Sequence, residues 1–278
     1  NQKSLLYRLK AFQNNKKQRR SMIPMQLTVL PLISQRMEGE FDIFETLLDT
    51  LEKNNSKLEE GDVLVISTKF VSNAQGRIID LKNIKASNYG NEVSEQFHLK
   101  PQIAEVIIRE SDKIFGGIAG FVITSGDDIM APNAGIDKSN AKKDKIILYP
   151  TNPYLISEQL RRKIFLKLQI HIGVILVDSR LMPARVGTSG VAIACAGIEP
   201  LLDMRSKNDL DGNPLKVTFQ AVVDNLATIA NHKMGEGAES KPFAIVRNSG
   251  AKLTDRKINP SEMAISPDQC VYVRGLSN

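Results

Sequence analysis

Apolar residues recur along the chain with two different periods, which together predict a mixture of helices and strands. Phe41, Phe44, Leu47, Leu48 and Leu51 fall three or four residues apart, the spacing of one helix face. The same spacing predicts further helices over residues 101–112, 154–168 and 217–232. Short, uninterrupted apolar runs predict buried strands at residues 63–67, 145–149, 174–177, 243–246 and 271–273.

Two weaker runs complete the pattern and set the fold class. Residues 27–33 are apolar but interrupted by Pro31, which predicts an edge strand or a loop. Residues 116–123 are punctuated by glycine and predict a strand flanked by turns. Since helices and strands alternate along much of the chain, we predict an α/β or mixed α+β fold. No G-x-x-x-x-G-K-[S/T] motif occurs, so a P-loop is not expected.

Composition excludes several classes of protein. The chain has 278 residues, of which 42% are hydrophobic and 24% charged, as in an ordinary globular protein. No apolar run approaches the roughly 18 residues that would span a bilayer, so a membrane-embedded protein is not expected. Cys195 and Cys270 lie far apart without a nearby metal-type partner, which predicts reduced thiols and a cytoplasmic location. The three histidines also lack metal-type spacing, and we interpret them as structural.

The net charge of +6 is concentrated at the N-terminus. Residues 1–21 contain seven of the 37 Lys and Arg residues and no acid, so the remaining chain, with 31 Asp and Glu, is close to neutral. One interpretation makes this leader an arm that contacts RNA or lipid. The interpretation that we favour is a disordered extension, with Met22 as an alternative first residue and one domain over residues 22–278.

Three separate places along the chain offer hard oxygen ligands. Asp137 follows a stretch of small residues, Asp178 and Ser179 follow a predicted buried strand, and Glu236 follows a predicted helix. Carboxylate and hydroxyl oxygens suit Mg²⁺ or Mn²⁺, so these residues are candidate ligands of one site. An Asp after a strand is also a common helix cap or turn residue, and the pattern alone leaves both interpretations open.

Several sequence blocks occur in an order that indicates a family. They are NAGIDKSN at 133–140, VDS at 177–179, VGTSGVAIACAGIEP at 186–200 and MGEGAE at 234–239. Together they resemble the coenzyme F420-0:L-glutamate ligase family, the F420-0 gamma-glutamyl ligases. Upstream, GDVLVISTKFVSNAQGRIIDL at 61–81 is similar to that family's first strand and nucleotide loop. The resemblance extends from about Leu30 to about Arg247 and implies a family-specific ligase fold with mixed sheets, assembled as an intertwined homodimer.

The resemblance also implies a reaction. GTP would phosphorylate the carboxylate of coenzyme F420-0, and the amine of L-glutamate would then displace the phosphate; later rounds would add γ-linked glutamates. All three substrates are anionic, and two divalent cations, Mg²⁺ or Mn²⁺, would offset their charge. The ligands that the resemblance implies for these ions are Asp137, Asp178, Ser179 and Glu236.

Further site residues follow from the resemblance. Those implied to contact GTP are Leu30, Pro31, Leu32, Ile33, Thr68, Lys69, Asn73, Asn140, Met234, Gly235 and Gly237. Arg185 and Lys138 are the implied catalytic residues.

The sequence departs from the family pattern at two places. The usual Ser-Lys-Ala-Glu-Gly has become Ser-Asn-Ala-Gln-Gly, with Asn73 in place of the lysine, and Lys69 or Lys138 is a candidate to replace the lost charge. Met182 occupies the position directly before Pro183 where relatives commonly have arginine, while Arg180 is additional. These departures keep open a GTP- and metal-dependent ligase that acts on another carboxylate. The other alternative, a nucleic-acid-binding protein with a basic arm, is less favoured because the body is nearly neutral.

Overall fold

The computed structural model describes residues 26–37, 39–126, 129–139 and 143–276. Within these residues the strands, in chain order, are β1 (Thr28–Leu32), β2 (Val63–Ser67), β3 (Ile78–Asp80), β4 (Lys113–Ile118), β5 (Phe121–Gly126), β6 (Ile129–Pro132), β7 (Lys145–Ile147), β8 (Gly173–Leu181), β9 (Thr188–Ala196), β10 (Leu201–Asp203), β11 (Phe219–Ala221) and β12 (Phe243–Arg247). The α-helices are α1 (Ile43–Lys53), α2 (Thr68–Ala74), α3 (Asn88–Phe97), α4 (Pro101–Arg109), α5 (Pro153–Leu168), α6 (Val222–Met234) and α7 (Val271–Leu276). This mixed α/β architecture confirms the predicted fold class.

The largest sheet has five strands in the order β1-β12-β2-β8-β9. Only β2 and β8 run parallel, paired from Val63–Gly173 to Ser67–Val177, while their other neighbours are antiparallel. β1 lies at the edge of the sheet, as Pro31 predicted, because an edge strand tolerates a residue without an N–H donor.

Helices cover both faces of this sheet, which explains why its central strands are continuous apolar runs. Leu64 and Ile66 of β2 pack on one face with α1, α2 and α5. Val63 and Val65 pack on the opposite face with α6. Side chains alternate along β8 in the same way, with Val174 and Leu176 on the first face and Ile175 and Val177 on the second.

Residues 76–149 form a smaller lobe beside the sheet. It contains the pair β3-β7, the three-stranded sheet β4-β5-β6, and helices α3 and α4, whose apolar faces form a separate core with the three-stranded sheet. The lobe follows directly after α2 and returns to the main sheet through α5. Met130 of β6 and Tyr149 after β7 contact Arg180, so the lobe meets the main sheet near the carboxyl end of β8.

Most of the predicted elements are confirmed, with boundaries shifted by a few residues. Helices α1, α4, α5 and α6 correspond to four predicted helices, and β2, β7, β8 and β12 to predicted strands. The glycine-punctuated stretch at 116–123 forms parts of two strands joined by a turn, and residues 219–221 form β11 before α6 begins.

Two predicted elements are wrong. The resemblance of residues 61–81 to a strand and nucleotide loop placed Thr68 and Lys69 in that loop, but they begin α2, which spans only seven residues and is too short to show a clear helical period. Residues 271–273 were predicted as a strand and instead form the start of α7, where Arg274 N–H donates to the Cys270 carbonyl. Val271 and Tyr272 are exposed, so this short apolar run is not part of a buried sheet.

The prediction for the leader, residues 1–21, lies outside the described residues. Within the described part of the chain, no helix combines the length and the apolar character needed to cross a bilayer.

Candidate active site

A pocket of about 860 Å³ opens beyond the carboxyl end of β2. β2 ends at Ser67, which pairs with Val177, whereas β8 continues for four further residues without this neighbour. The pocket lies in the space where β2 has ended, and its walls include Ser67, Val177 and Asp178. Such a position, outside the carboxyl ends of parallel strands, is where open α/β sheets commonly bind ligands.

Two consecutive residues at the start of α2 bring two distant carboxylates together. The Thr68 hydroxyl donates to Asp178 Oδ1 over 3.0 Å. Lys69 Nζ lies 2.5 Å from Asp137 Oδ2 and 2.6 Å from Ser139 Oγ. Asp137 and Asp178 are far apart in the sequence, so it is the N-terminal turn of α2 that places both at one pocket.

The turn that carries Asp137 needs its small residues. Ala134 and Gly135 both have positive φ angles, of 54° and 70°, and a Cβ on Gly135 would lie only 2.5 Å from the ring of Tyr149. Asp137 then exchanges two backbone hydrogen bonds of 2.9 Å with Ile147 of β7. Its Oδ1 accepts from the Ser139 N–H over 2.6 Å, so both the backbone and the side chain of Asp137 are fixed.

Neighbouring residues at the end of β8 point to opposite sides of the sheet. Asp178 continues the face of Leu176 and meets Thr68, whereas Ser179 continues the face of Val177. Ser179 Oγ lies 2.9 Å from Glu236 Oε1, to which Asn231 of α6 donates over 2.7 Å. Glu236 follows Gly235, whose φ of 86° ends α6. The end of β8 thus places Asp178 beside Thr68 and Ser179 beside Glu236.

The Asp178 side also contains a buried cation. Arg180 is 6% exposed, and its Nε donates to Asp178 Oδ2 over 2.6 Å. Its Nη2 donates to the Tyr149 hydroxyl over 2.6 Å, and its Nη1 donates to the Met130 carbonyl. Burial raises the pKa of the Tyr149 phenol above its usual range, so this hydroxyl is a neutral acceptor.

Comparison with known proteins now identifies the family. The family model for F420-0:gamma-glutamyl ligase matches residues 32–248, most of the chain. The chain belongs to the F420-0:gamma-glutamyl ligase family.

Similar proteins named coenzyme F420:L-glutamate ligase come from several organisms. The protein from Methanopyrus kandleri is 35% identical over 230 residues, covering 82% of this chain and 89% of its own length. The protein from Archaeoglobus fulgidus is 30% identical, with 80% and 88% covered. The protein from Methanocaldococcus jannaschii is 34% identical, with 74% and 84% covered.

The pocket of this family member gathers all four predicted metal ligands. Asp137, Asp178, Ser179 and Glu236 line its walls. Carboxylate and hydroxyl oxygens match Mg²⁺ or Mn²⁺ in chemistry. Among the described residues, however, no group of three or more His, Cys, Asp or Glu side chains is placed to hold a metal ion. The donor set fits a divalent cation in kind, and Lys69 Nζ lies 2.5 Å from Asp137 Oδ2.

The residues predicted to contact GTP divide into three groups. Lys69, Asn73, Met234, Gly235 and Gly237 line the pocket, and Thr68 lines a narrow cavity beside it that also includes Asp137 and Asp178. Leu30, Pro31, Leu32 and Ile33 lie in or next to β1 and do not line the pocket, although Gln35, Arg36 and Met37 just after them do. Asn140 lies outside the described residues.

Neither predicted catalytic residue lines the pocket. Lys138 is exposed beside Asp137, and Arg185 is exposed in the turn between β8 and β9, next to Met182. Their roles stay predictions. Of the two candidates to replace the cation lost at Asn73, it is Lys69 that shares the pocket with Asn73.

Two buried oxygen atoms on α2 mark the same region as polar. Ser72 Oγ and Asn73 Oδ1 have no hydrogen-bond partner among the described residues. Leaving a buried polar atom unpaired costs about 1–3 kcal/mol, so each of these atoms calls for a partner such as a water, an ion or a ligand.

Sequence reasoning missed residues that hydrogen-bond to the side chains of the site, namely Tyr149, which accepts from Arg180, and Asn231, which donates to Glu236. Tyr149 and Asn231 were predicted only as parts of a strand and a helix. Asn231 lies where α6 approaches β9 closely, since a Cβ on Gly190 would lie 2.5 Å from Asn231 Cβ. Gly190, one of the glycines in the block at 186–200, was the only sequence signal of this close approach.

Proposed function

We propose that the protein joins L-glutamate to coenzyme F420-0, in coenzyme F420 biosynthesis, at the expense of GTP. One observation supports this most strongly: a single pocket gathers Lys69, Asp137, Asp178, Ser179 and Glu236 from separate sequence blocks of the family. Similar proteins named coenzyme F420:L-glutamate ligase cover most of this chain, which supports the same acceptor and amino acid.

The chemistry requires activation of a carboxylate. An oxygen of the acceptor's carboxylate attacks the γ-phosphorus of GTP, and GDP leaves with the bridging oxygen. The glutamate amine then attacks the carbonyl of the acyl phosphate, inorganic phosphate leaves, and the amine loses its proton. Repetition at the γ-carboxylate of the added residue gives γ-linked glutamates.

The residues of the pocket suit the positioning of several anions. Lys69 supplies an ammonium group that faces the pocket and would donate to phosphate oxygens, with the Ser139 hydroxyl as a neutral donor nearby. Asp137, Asp178, Ser179 and Glu236 would hold Mg²⁺ or Mn²⁺, two ions in our proposal, which would neutralise charge on the transferring phosphoryl group. Catalysis would then rest mainly on alignment and electrostatic stabilisation, since no His or Cys lines the pocket.

An acceptor other than F420-0 is the second candidate. Met182, in place of the arginine that relatives commonly have before the proline, is exposed in the β8–β9 turn beside Arg185. Met182 directly follows β8, the strand whose end lines the pocket. An apolar side chain at this position would favour a less anionic acceptor. The mechanism and the nucleotide would remain the same.

The test is a reaction followed by mass spectrometry of the product. Wild-type protein with GTP, Mn²⁺, L-glutamate and F420-0 should increase the acceptor's mass by one or more glutamyl residues. Parallel reactions would omit GTP, replace it with ATP, or replace F420-0 with other carboxylate acceptors. The Methanopyrus kandleri protein serves as the positive control. Product with another acceptor but none with F420-0 would favour the second candidate, and no product with any acceptor would overturn the proposal.

We also propose that the protein is a homodimer with intertwined subunits. The arm formed by β10, β11 and the loop between them exposes large apolar side chains, namely Leu202, Leu210, Val217 and Phe219. Several exposed apolar side chains on one hairpin are consistent with a protein–protein interface. A light-scattering mass of one chain at micromolar concentration would contradict the dimer.

A further inference from the structure

Arg180 is an unusual residue to find buried beside the pocket. Its guanidinium group donates from three nitrogens to three different elements: Asp178 in its own strand β8, the Tyr149 hydroxyl after β7, and the Met130 carbonyl in β6. The guanidinium carbon also lies 5.3 Å from the centre of the Tyr149 ring. Arg180 therefore joins the main sheet to the smaller lobe at the site itself.

Such a buried cation is a poor means of stabilising a fold. The desolvation cost of a buried ion pair offsets much of its electrostatic gain, and apolar side chains of similar volume often stabilise a protein equally well. The position of Arg180 suggests instead that its fixed geometry matters, because a planar fork with several N–H groups orients its partners.

The first partner that it orients is Asp178. Each oxygen of this carboxylate accepts one hydrogen bond, Oδ1 from Thr68 over 3.0 Å and Oδ2 from Arg180 over 2.6 Å. Two donors on the two oxygens fix the plane of the carboxylate. An ionised carboxylate has about four lone-pair sites, so further sites remain for a ligand in the pocket.

The second connection leads to Asp137. Tyr149, which accepts from Arg180, packs against Gly135, two residues before Asp137. Asp137 is itself bonded to β7 through Ile147, two residues before Tyr149. Through Tyr149, Arg180 thus links Asp178 of the main sheet to the turn that carries Asp137 in the lobe.

We propose that Arg180 is a positioning residue of this site, which sets the orientation of Asp178 and its placement relative to Asp137. This inference rests on the proposed function in one respect, since it assumes that the two carboxylates act together on a divalent cation. Arg180 does not line the pocket and is not proposed to touch a substrate.

The test compares Arg180→Met, Arg180→Lys and Tyr149→Phe with a matched control, Arg247→Met. Arg247 also pairs with a buried carboxylate, that of Asp62, but at the opposite end of β2, roughly 16 Å from Ser67 for five strand residues. The measurements are Mn²⁺ affinity of the protein alone, by electron paramagnetic resonance, then kcat and KM for ligation, and the thermal midpoint.

We expect Arg180→Met to weaken Mn²⁺ binding and to lower kcat by about 10–100-fold, the size of effect known for partners that orient metal ligands. Arg180→Lys should recover little, because lysine keeps the charge but not the fork. Tyr149→Phe should give a smaller loss of the same kind. Arg247→Met should lower the thermal midpoint and leave Mn²⁺ affinity and kcat within about twofold, since it lies outside the site.

Two results would overturn the inference. One is an Arg180→Met protein that is folded and has wild-type Mn²⁺ affinity and kcat; the other is a wild-type protein that does not bind Mn²⁺. Failure of the proposed function has a different signature. In that case wild-type protein would bind Mn²⁺ in an Arg180-dependent manner but form no glutamyl product, which would support the positioning role and refute the reaction.

Discussion

Asp178 and Glu236 line the same pocket, but their hydrogen-bond donors differ in charge. Asp178 accepts from the buried guanidinium of Arg180, and nearby Asp137 is paired with Lys69. Glu236 accepts from Ser179 and Asn231, which are both neutral, and among the described residues no cation forms an ion pair with it. One side of the pocket is thus charge-compensated, and the other is only hydrogen-bonded.

The difference separates residues that the fold depends on from residues that only the site depends on. Removing the charge of Asp178 leaves a buried cation without its anion, which costs stability. Removing the charge of Glu236 leaves three neutral donors, Ser179, Asn231 and Thr188, that still find an acceptor. Both carboxylates are expected to matter for activity, so the comparison is tested by measuring activity and stability together, from the largest expected effect to the smallest.

Asp178→Asn should abolish ligation and also destabilise the protein. We expect activity to fall by about 100-fold or more, the size of losing one preorganised electrostatic contact. The free energy of unfolding should fall by about 2–4 kcal/mol, because Arg180 is buried and loses its charged partner. Ligation kinetics and urea unfolding measure the two effects.

Asp62→Asn is the matched control for Asp178→Asn. Asp62 pairs with Arg247 far from the pocket, so a similar loss of stability should leave kcat unchanged. If Asp178→Asn were as stable as wild type, the coupling between Asp178 and Arg180 would be refuted.

Glu236→Gln should lower activity with little effect on stability. The amide oxygen of glutamine can still accept from Ser179 and Asn231, so the free energy of unfolding should change by less than about 0.5 kcal/mol. Activity should fall by about 10–100-fold if Glu236 serves a bound cation. Equal stability losses in Glu236→Gln and Asp178→Asn would refute the proposed difference between the charge-compensated and the hydrogen-bonded carboxylate.

Lys69→Ala should act in opposite directions on nucleotide and metal. GTP binding should weaken by about 1.5–3 kcal/mol, the worth of a hydrogen bond to a charged group. Mn²⁺ binding without nucleotide should tighten, because the Lys69 ammonium group no longer forms an ion pair with the Asp137 carboxylate. Calorimetric titrations measure both, and Lys53→Ala, in an exposed pair with Asp49, is the control.

A second substitution sharpens the result for Lys69. If Lys69 replaces the lysine that relatives have at position 73, then Asn73→Lys in the Lys69→Ala background should recover part of the GTP affinity. Unchanged GTP affinity in Lys69→Ala alone would refute the replacement.

Asn231→Ala should have the smallest effect of the series. It removes one neutral donor from Glu236, a loss of about 0.5–1.5 kcal/mol that corresponds to a severalfold decrease in kcat. Ser179→Ala, at another neutral donor to Glu236, should give a loss of similar or greater size, since Ser179 is also a candidate ligand. A drop for Asn231→Ala as large as that for Arg180→Met would mean that neutral and charged partners support the site equally.

The sequence by itself determined the parts of this protein that depend on local pattern. The uninterrupted apolar runs of β2 and β8 predicted buried strands, and the spacing from Phe41 to Leu51 predicted α1. The small residues before Asp137 permit the tight turn in which Ala134 and Gly135 adopt positive φ angles. The carboxylates at Asp137, Asp178 and Glu236 could be named because each directly follows such an element.

Only the tertiary structure decided what these carboxylates contact. Lys69 reaches Asp137 because α2 starts where β2 ends, beside the lobe that returns the chain to β7. Arg180 is buried because the strand β6 and Tyr149 pack over it, and nothing in its neighbours along the chain indicates this. Local sequence sets helix, strand and turn through short-range periodicity. The partner of a charged side chain depends on which distant segments the core brings within a few ångströms.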